Sequence, residues 1–368
     1  MKYNTNDPEA VAIREKMEQL KKFGNVEIYD TISIEEVREF EEEYDMKLPE
    51  DYVWFITNVA NGCKGDGFYD YRYSCGFRPL ERTYFSSEYT EDDDCDDCSG
   101  EEKFSLDISG KGCTGSYGIF LKGEHYGEIS DDDEGLAYYH PKRVHGFKEW
   151  YNLLLDETLL GYDTSRFDDR ISGKIEDILD SYRQNHDMFY LRSIQWKTGW
   201  DCRKDVITEK LMNDIYEVFV NETIPENKEV LFFILKNIGY PDMFSVIEQI
   251  FIPENYGTIA FYLNITGGIY FKTRNFKNGV MDGAGRYYPM IRKMLDYLAE
   301  KESEYFRHAF EIAVMNPDFK ASHIEDISNR DFVMKHISGL YEEELIKRIE
   351  PYYTQAKNER NNKKRKEL

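Results

Sequence analysis

Apolar residues recur at helical spacing between Thr31 and Asp45 (TISIEEVREFEEEYD), with Val37, Phe40 and Tyr44 on one face and glutamate almost throughout the other. Ser33 and Glu36 supply an S-x-x-E capping box at the start. The next stretch, LPEDYVWFITNVANG, predicts a second helix. Pro49 suits its first position, Asp51 suits the positive end of its dipole, and Asn61-Gly62 supplies a stop. Its apolar face is expected to hold Tyr52, Phe55, Ile56 and Val59.

From Gly62 to about His140 the period shortens. Glycines, aromatics and alternating runs (FYDYRYS, KFSLDIS, SYGIFLKG, GLAYYH) predict strands joined by turns. A helix over Phe147 to Leu160, ended by Gly161, closes the block as an α+β domain with a mainly antiparallel sheet. Beyond Asp163 the pattern is helical. Helices are expected over Ile171–Gln184, Val206–Asn221, Lys228–Ile238, Asp242–Phe251, Ile259–Ile265, Met290–Lys301, Glu304–Met315 and Glu342 to about Tyr352. Pro241, Pro253, Pro289 and Pro317 punctuate them, and stacked pairs in the manner of a short α-solenoid would bury their faces, although no fixed period repeats. The glycines of Thr266 to Tyr288 (TGG, DGAG) follow no strand and carry no phosphate-loop lysine, so they read as a loop or hairpin. A chain of 368 residues exceeds one ordinary core. The expected division is an extension at 1–29, the α+β domain at 30–162, a helical domain at 163–355 and a frayed basic tail at 356–368.

Hydrophobic residues make up 41% of the chain and aromatics 15%, enough to bury cores. The N-terminus has no signal-like apolar segment, and no apolar run approaches the roughly 18 residues of a membrane span, so a soluble, cytoplasmic protein is expected. Six scattered cysteines read as reduced thiols. The formal net charge is −24, and its placement matters more than its size. Residues 1–160 hold 37 Asp+Glu against 17 Lys+Arg. Such a front half repels nucleic acid and anionic membrane and attracts cationic proteins.

The most concentrated charge is TEDDDCDDCSGEE at Thr90 to Glu102. Cys95 and Cys98 have zinc-knuckle spacing and, with Cys63, Cys75 or Cys113, leave a thiolate site open. Against it, no second C-x-x-C follows, and the crowded carboxylates disfavour the thiolate that zinc requires. Neither this stretch nor SDDDEG at Ser130 to Gly135 has the ligand order of a calcium loop. Both are expected as exposed acidic turns, with no metal or cofactor. The seven histidines form no catalytic grouping, and no nucleophile elbow, HExxH or phosphate loop occurs. A non-enzymatic role is expected.

Three passages then resemble the SMI1/KNR4 (SUKH) family of Smi/Knr-type regulators and bacterial immunity proteins. KLPEDYVWFITNVANG is similar to the family's LPxDYxxFL passage and asparagine-glycine turn, through Leu48, Pro49, Asp51, Tyr52, Phe55 and Gly62. ISGKGCTGSYGIFLKGEHYGEI resembles its glycine-cysteine strand pair, through Gly112, Cys113, Gly123, Gly127 and Ile129. GFKEWYNLLLDETL resembles its closing helix, through Phe147, Trp150, Tyr151 and Leu154. Glu128-Ile129-Ser130 departs where the family often carries tryptophan, and the acidic cysteine segment is an insertion. Over about residues 30–160, the resemblance implies a binding module without shared catalytic residues. It also implies, for bacterial members, occlusion of a toxin that is often a nuclease. Since a nuclease is basic where it holds phosphate, the expected partner is a basic protein toxin met through Glu35, Glu36, Glu39, Glu42, Glu43, Asp92, Asp93, Asp94, Asp96, Asp97, Asp131, Asp132, Asp133 and Glu134. A non-catalytic scaffold recruiting one protein through each half is the alternative. The oligomeric state is not legible.

Overall fold

The computed structural model describes residues 3–64, 76–88, 104–110, 115–133, 136–138, 146–164, 166–199, 202–264, 284–316, 318–341 and 343–366. They divide into two compact units, Met1–Pro241 and Asp242–Leu368. The first opens with α1 (Pro8–Leu20), β1 (Glu27–Ile28), α2 (Ile34–Tyr44), α3 (Glu50–Asn58) and β2 (Cys63–Lys64), which pairs antiparallel with β1. Five strands then close a barrel: β3 (Tyr84–Glu88), β4 (Ser105–Gly110), β5 (Gly115–Phe120), β6 (Ile129–Asp133) and β7 (Leu136–Tyr138). Successive strands pair antiparallel, and the closing pair, β3 with β7, is parallel. Then come α4 (Phe147–Leu159), α5 (Ile175–Asn185), α6 (Met188–Lys197), α7 (Glu209–Asn221) and α8 (Pro225–Ile238). This is the expected α+β block followed by helices.

Helices as short as α3 and α4 are held by burial more than by propensity. Tyr52 and Phe55 of α3 meet Phe77, Phe147 and Tyr151 in one fully buried aromatic cluster. Phe55 stands edge-on to Phe147 and to Tyr151, each at 5.1 Å, the arrangement that opposed ring quadrupoles favour. α1 adds to the same core through Ala10, Ile13, Met17 and Leu20. Its Arg14 donates to the carbonyls of Tyr29 and Val59, both at 3.1 Å. Residues 1–29, expected as an extension, therefore carry part of the core.

The expected boundary at 162 also differs from what is observed, because the first compact unit runs on to Pro241. The reason is a buried charge cluster. Glu157, near the end of α4, is 1% exposed, and Arg170 and Lys197 are no more open. Its carboxylate accepts from Arg170 Nη2 at 2.9 Å, from Lys197 Nζ at 2.5 Å and from the Gly173 amide at 2.9 Å. Beside it, Trp150 packs against Tyr117 of β5 and Phe167 at 4.9 and 5.3 Å, and the Tyr117 hydroxyl donates to Asp168. Barrel, α4 and the segment leading through α6 thus share one interior.

In the second unit lie α9 (Met243–Ile250), α10 (Tyr256–Asn264), α11 (Ala284–Glu300), α12 (Phe306–Met315), α13 (Arg330–Ile337), α14 (Glu343–Arg348) and α15 (Glu350–Lys366). Pro289, expected between helices, sits inside α11, where the burial of Ile291, Met294, Leu295 and Leu298 outweighs one missing amide donor. The tail expected to fray is helical to Lys366. Its last-turn cations complement the negative end of the helix, and Ala356 is its one buried residue. No helix among the described residues is long and apolar enough to cross a membrane.

Replacing Glu157 with Gln strands two buried cations. It should cost about 3–5 kcal/mol in urea denaturation, and a loss under about 1 kcal/mol would show the cluster to be dispensable. Burial lowers Lys197 to about 8 from an ordinary lysine value. The unfolded chain therefore holds the extra proton between about pH 8 and 10.5, and this residue's contribution makes stability rise with pH across that window. Lys197→Met should abolish that part of the rise when the two proteins are compared at each pH.

Candidate protein-binding face

The Ser33 hydroxyl accepts from the Glu36 amide at 3.2 Å, and the Glu36 carboxylate accepts from the Ser33 amide at 2.7 Å, so the expected capping box starts α2. Successive side chains on a helix turn by roughly 100°. That spacing gathers Glu35, Glu39, Glu42 and Glu43 on one face, opposite Val37, Phe40 and Tyr44. All four are exposed, whereas Val37 is buried. Phe40 and Tyr44 pack on Phe85 of β3 at 6.3 and 5.2 Å, which seats the helix on the barrel.

Like charges one turn apart repel, by about 0.2–0.5 kcal/mol per pair. Among the described residues no cation pairs with Glu35, Glu39, Glu42 or Glu43, although their neighbour Glu41 is engaged. Glu41 is buried, accepts from Lys47 and from the Leu48 amide, and ties the end of α2 to the start of α3. Glu36 is likewise committed. Its bonds from Ser33 pull its pKa below the usual carboxylate value. Of the five glutamates expected to act together, four are unengaged and one is a cap. Residues 242–368 hold 19 Asp+Glu and 19 Lys+Arg, so the net charge of −24 resides in the first 241 residues.

The other expected contacts are distributed differently. Asp131, Asp132 and Asp133 lie in β6, not in a turn. They pair with Tyr117, Ser116 and Gly115 on one side and with Tyr138, Ala137 and Leu136 on the other. Barrel closure overrides the poor strand propensity of aspartate. Asp131 is half-buried and Ser130 before it is fully buried, the alternation of a strand. Asp92, Asp93, Asp94, Asp96, Asp97, Glu134, Cys95, Cys98, Gly112 and Cys113 lie outside the described residues. His125, which the family pattern would put on a strand, sits in the turn between β5 and β6, with Nδ1 3.2 Å from Glu128. Among the described residues no three His, Cys, Asp or Glu side chains group as a metal site. Cys63 is buried, which raises its thiol to about 12 and keeps it from being a ready thiolate.

Several carboxylates and glycines of the quoted passages have structural work. Pro49, expected inside α3, is its N-cap residue. Asp51 Oδ2 accepts from the Lys148 amide at 3.2 Å and so caps the start of α4, 97 residues away. Gly127, at φ +85°, holds a backbone conformation that side chains with a Cβ rarely adopt. Gly62 has φ +113° and no room for a Cβ between Tyr29 and Pro79, while Asn61 accepts from the Leu80 amide. Residues 31–152 match the family model described as SMI1 / KNR4 family (SUKH-1).

About a third of the chain is thus similar to the SUKH-1 family. No curated protein and no solved structure matches the chain. The SUKH-1 match includes α2, the barrel and the first half of α4, and stops before Glu157. α1, which completes the same core, was missed in the sequence despite a readable signal. Asp7 caps it, Pro8 opens it, and its buried residues recur at helical spacing.

If the exposed glutamates serve binding and not folding, Glu39→Gln and Glu42→Gln should leave thermal stability unchanged or raise it by a few tenths of a kcal/mol. Asp51→Ala, which removes the cap on α4, should cost about 1 kcal/mol. A loss above about 1 kcal/mol for either glutamine variant would make this face structural instead.

Proposed function

We propose that this chain is a non-catalytic immunity protein whose SUKH-1 domain binds and occludes a basic protein toxin, in the first place a nuclease, through the glutamate face of α2. The observation that carries this reading is the division of labour among the carboxylates. Glu36, Glu41, Asp51 and Glu157 are each held by hydrogen bonds within the fold. Glu35, Glu39, Glu42 and Glu43 share one exposed face, at a repulsive cost that a cationic partner would relieve.

A nuclease surface shaped for phosphate oxygens presents lysine and arginine, and a row of carboxylates can occupy those positions without being cleaved. The field of the strongly negative front half draws such a partner in over distances of about a Debye length. Occlusion then needs contact only, with no turnover. Asp131 on β6 and the acidic segment at 91–97 would extend the surface where they lie near α2. A cytoplasmic setting accords with a toxin that attacks nucleic acid, and it belongs to the same proposal.

The test is association kinetics with toxins encoded at the same locus. Changing Glu35, Glu39, Glu42 and Glu43 together to glutamine should slow association about tenfold or more at low salt and flatten its dependence on ionic strength. An unchanged rate and salt slope would remove α2 from the interface. Failure of every locally encoded toxin to bind the wild-type chain would favour the scaffold reading.

A further inference from the structure

The second compact unit is balanced in charge, yet one hollow in it collects cations. A cavity of about 270 Å³ is lined by Arg307 of α12, by Phe332, Lys335 and His336 of α13, and by Gly339 and Leu340 just beyond. Among the described residues no carboxylate lines it. Behind them, the buried Phe306 ring meets Phe332 and His336 edge-on, each at 5.2 Å, and the Phe332 and His336 rings stand 5.6 Å apart. This cluster sets the plane of the Phe332 ring. Glu311, one turn along α12, accepts from Arg307 Nε at 2.6 Å and restrains the guanidinium. Burial and the nearby Arg307 hold the pKa of His336 down, so its ring is a neutral wall at pH 7.

Lys335 stands in the last turn of α13, where a cation complements the helix dipole. That accounts for its presence on the helix. It does not account for Arg307, which comes from a different helix, or for the aromatic wall between them. Volume narrows the occupant further. Sites for drug-sized ligands run from about 300 to 1,000 Å³, so this hollow suits a single ring with one charged group better than a nucleotide or a peptide.

We propose that the hollow binds a small organic anion: a carboxylate or phosphate group carried on one flat apolar ring. Arg307 and Lys335 take the oxyanion, in the charge-assisted bonds that guanidinium and ammonium groups form with it. Phe332 lies against the ring. The glutamate face of α2 has no part in this site.

Calorimetric titration of the full-length chain with benzoate, phenyl phosphate and inorganic phosphate tests it. At least one ring-bearing probe should bind saturably at one site per chain. Lys335→Gln, at an exposed position, should fold as the wild type does by circular dichroism and weaken that binding about tenfold. Arg307→Gln should act in the same direction, and Phe332→Leu should weaken the ring-bearing probe while leaving inorganic phosphate unchanged. Absence of saturable heat with both ring-bearing probes, or unaltered affinity in Lys335→Gln, would overturn the proposal. So would equal affinity for inorganic phosphate and phenyl phosphate, which would leave the ring no role.

Discussion

A carboxylate 1% exposed, holding two cations that are equally hidden, is the constraint on which the front of this molecule is built. Taking three charges out of water is expensive unless each finds partners, and Glu157 answers both cations and a backbone amide at once. The three side chains come from α4, from the connection after it and from α6. Loss of Glu157 leaves two buried cations without the carboxylate that holds them, so α4, the connection after it and α6 cannot part without exposing the cluster. The SUKH-1 motif ends at residue 152 while the structural unit continues to Pro241. A family pattern and a cooperative unit need not share a boundary.

The same logic separates the acids that the fold engages from those it leaves exposed. Inside the fold a carboxylate is matched by donors: Glu41 by Lys47 and Leu48, Asp51 by Lys148, and Glu222 by Tyr182 and the amides of Thr223 and Ile224. On the outer face of α2 the four unengaged glutamates have no such match among the described residues. Net charge alone could not make that distinction. The pattern of engagement does, and it concentrates the binding hypothesis on one helix face.

Much of this was legible from residue patterns, and the exceptions have physical causes. The capping box of α2, the buried faces of α3 and α4 and the strand-rich middle follow from spacing and local signals. α6 escaped because its buried face includes Ser193 and Lys197, so polar residues interrupt the apolar period. The aspartates of β6 looked like a turn because local propensity knows nothing of two neighbouring strands. Closure of the barrel by a parallel pairing of β3 with β7, about fifty residues apart, is a tertiary fact without a local signature. Of the candidate face, the glutamate stripe was readable as a stripe. That Glu36 is a cap and Glu41 an internal strut emerged only with their partners.

Amide hydrogen exchange in the intact chain tests the shared interior most directly, by comparing Leu154 and Leu155 in α4 with Leu191 and Ile194 in α6. If the Glu157 cluster binds these helices into one cooperative unit, the four amides should open with the same free energy and shift together when Glu157 is replaced. If α6 opens at a distinctly lower free energy than α4, the helices beyond 162 are an appended layer, and the charge cluster is not what holds the front of the molecule together.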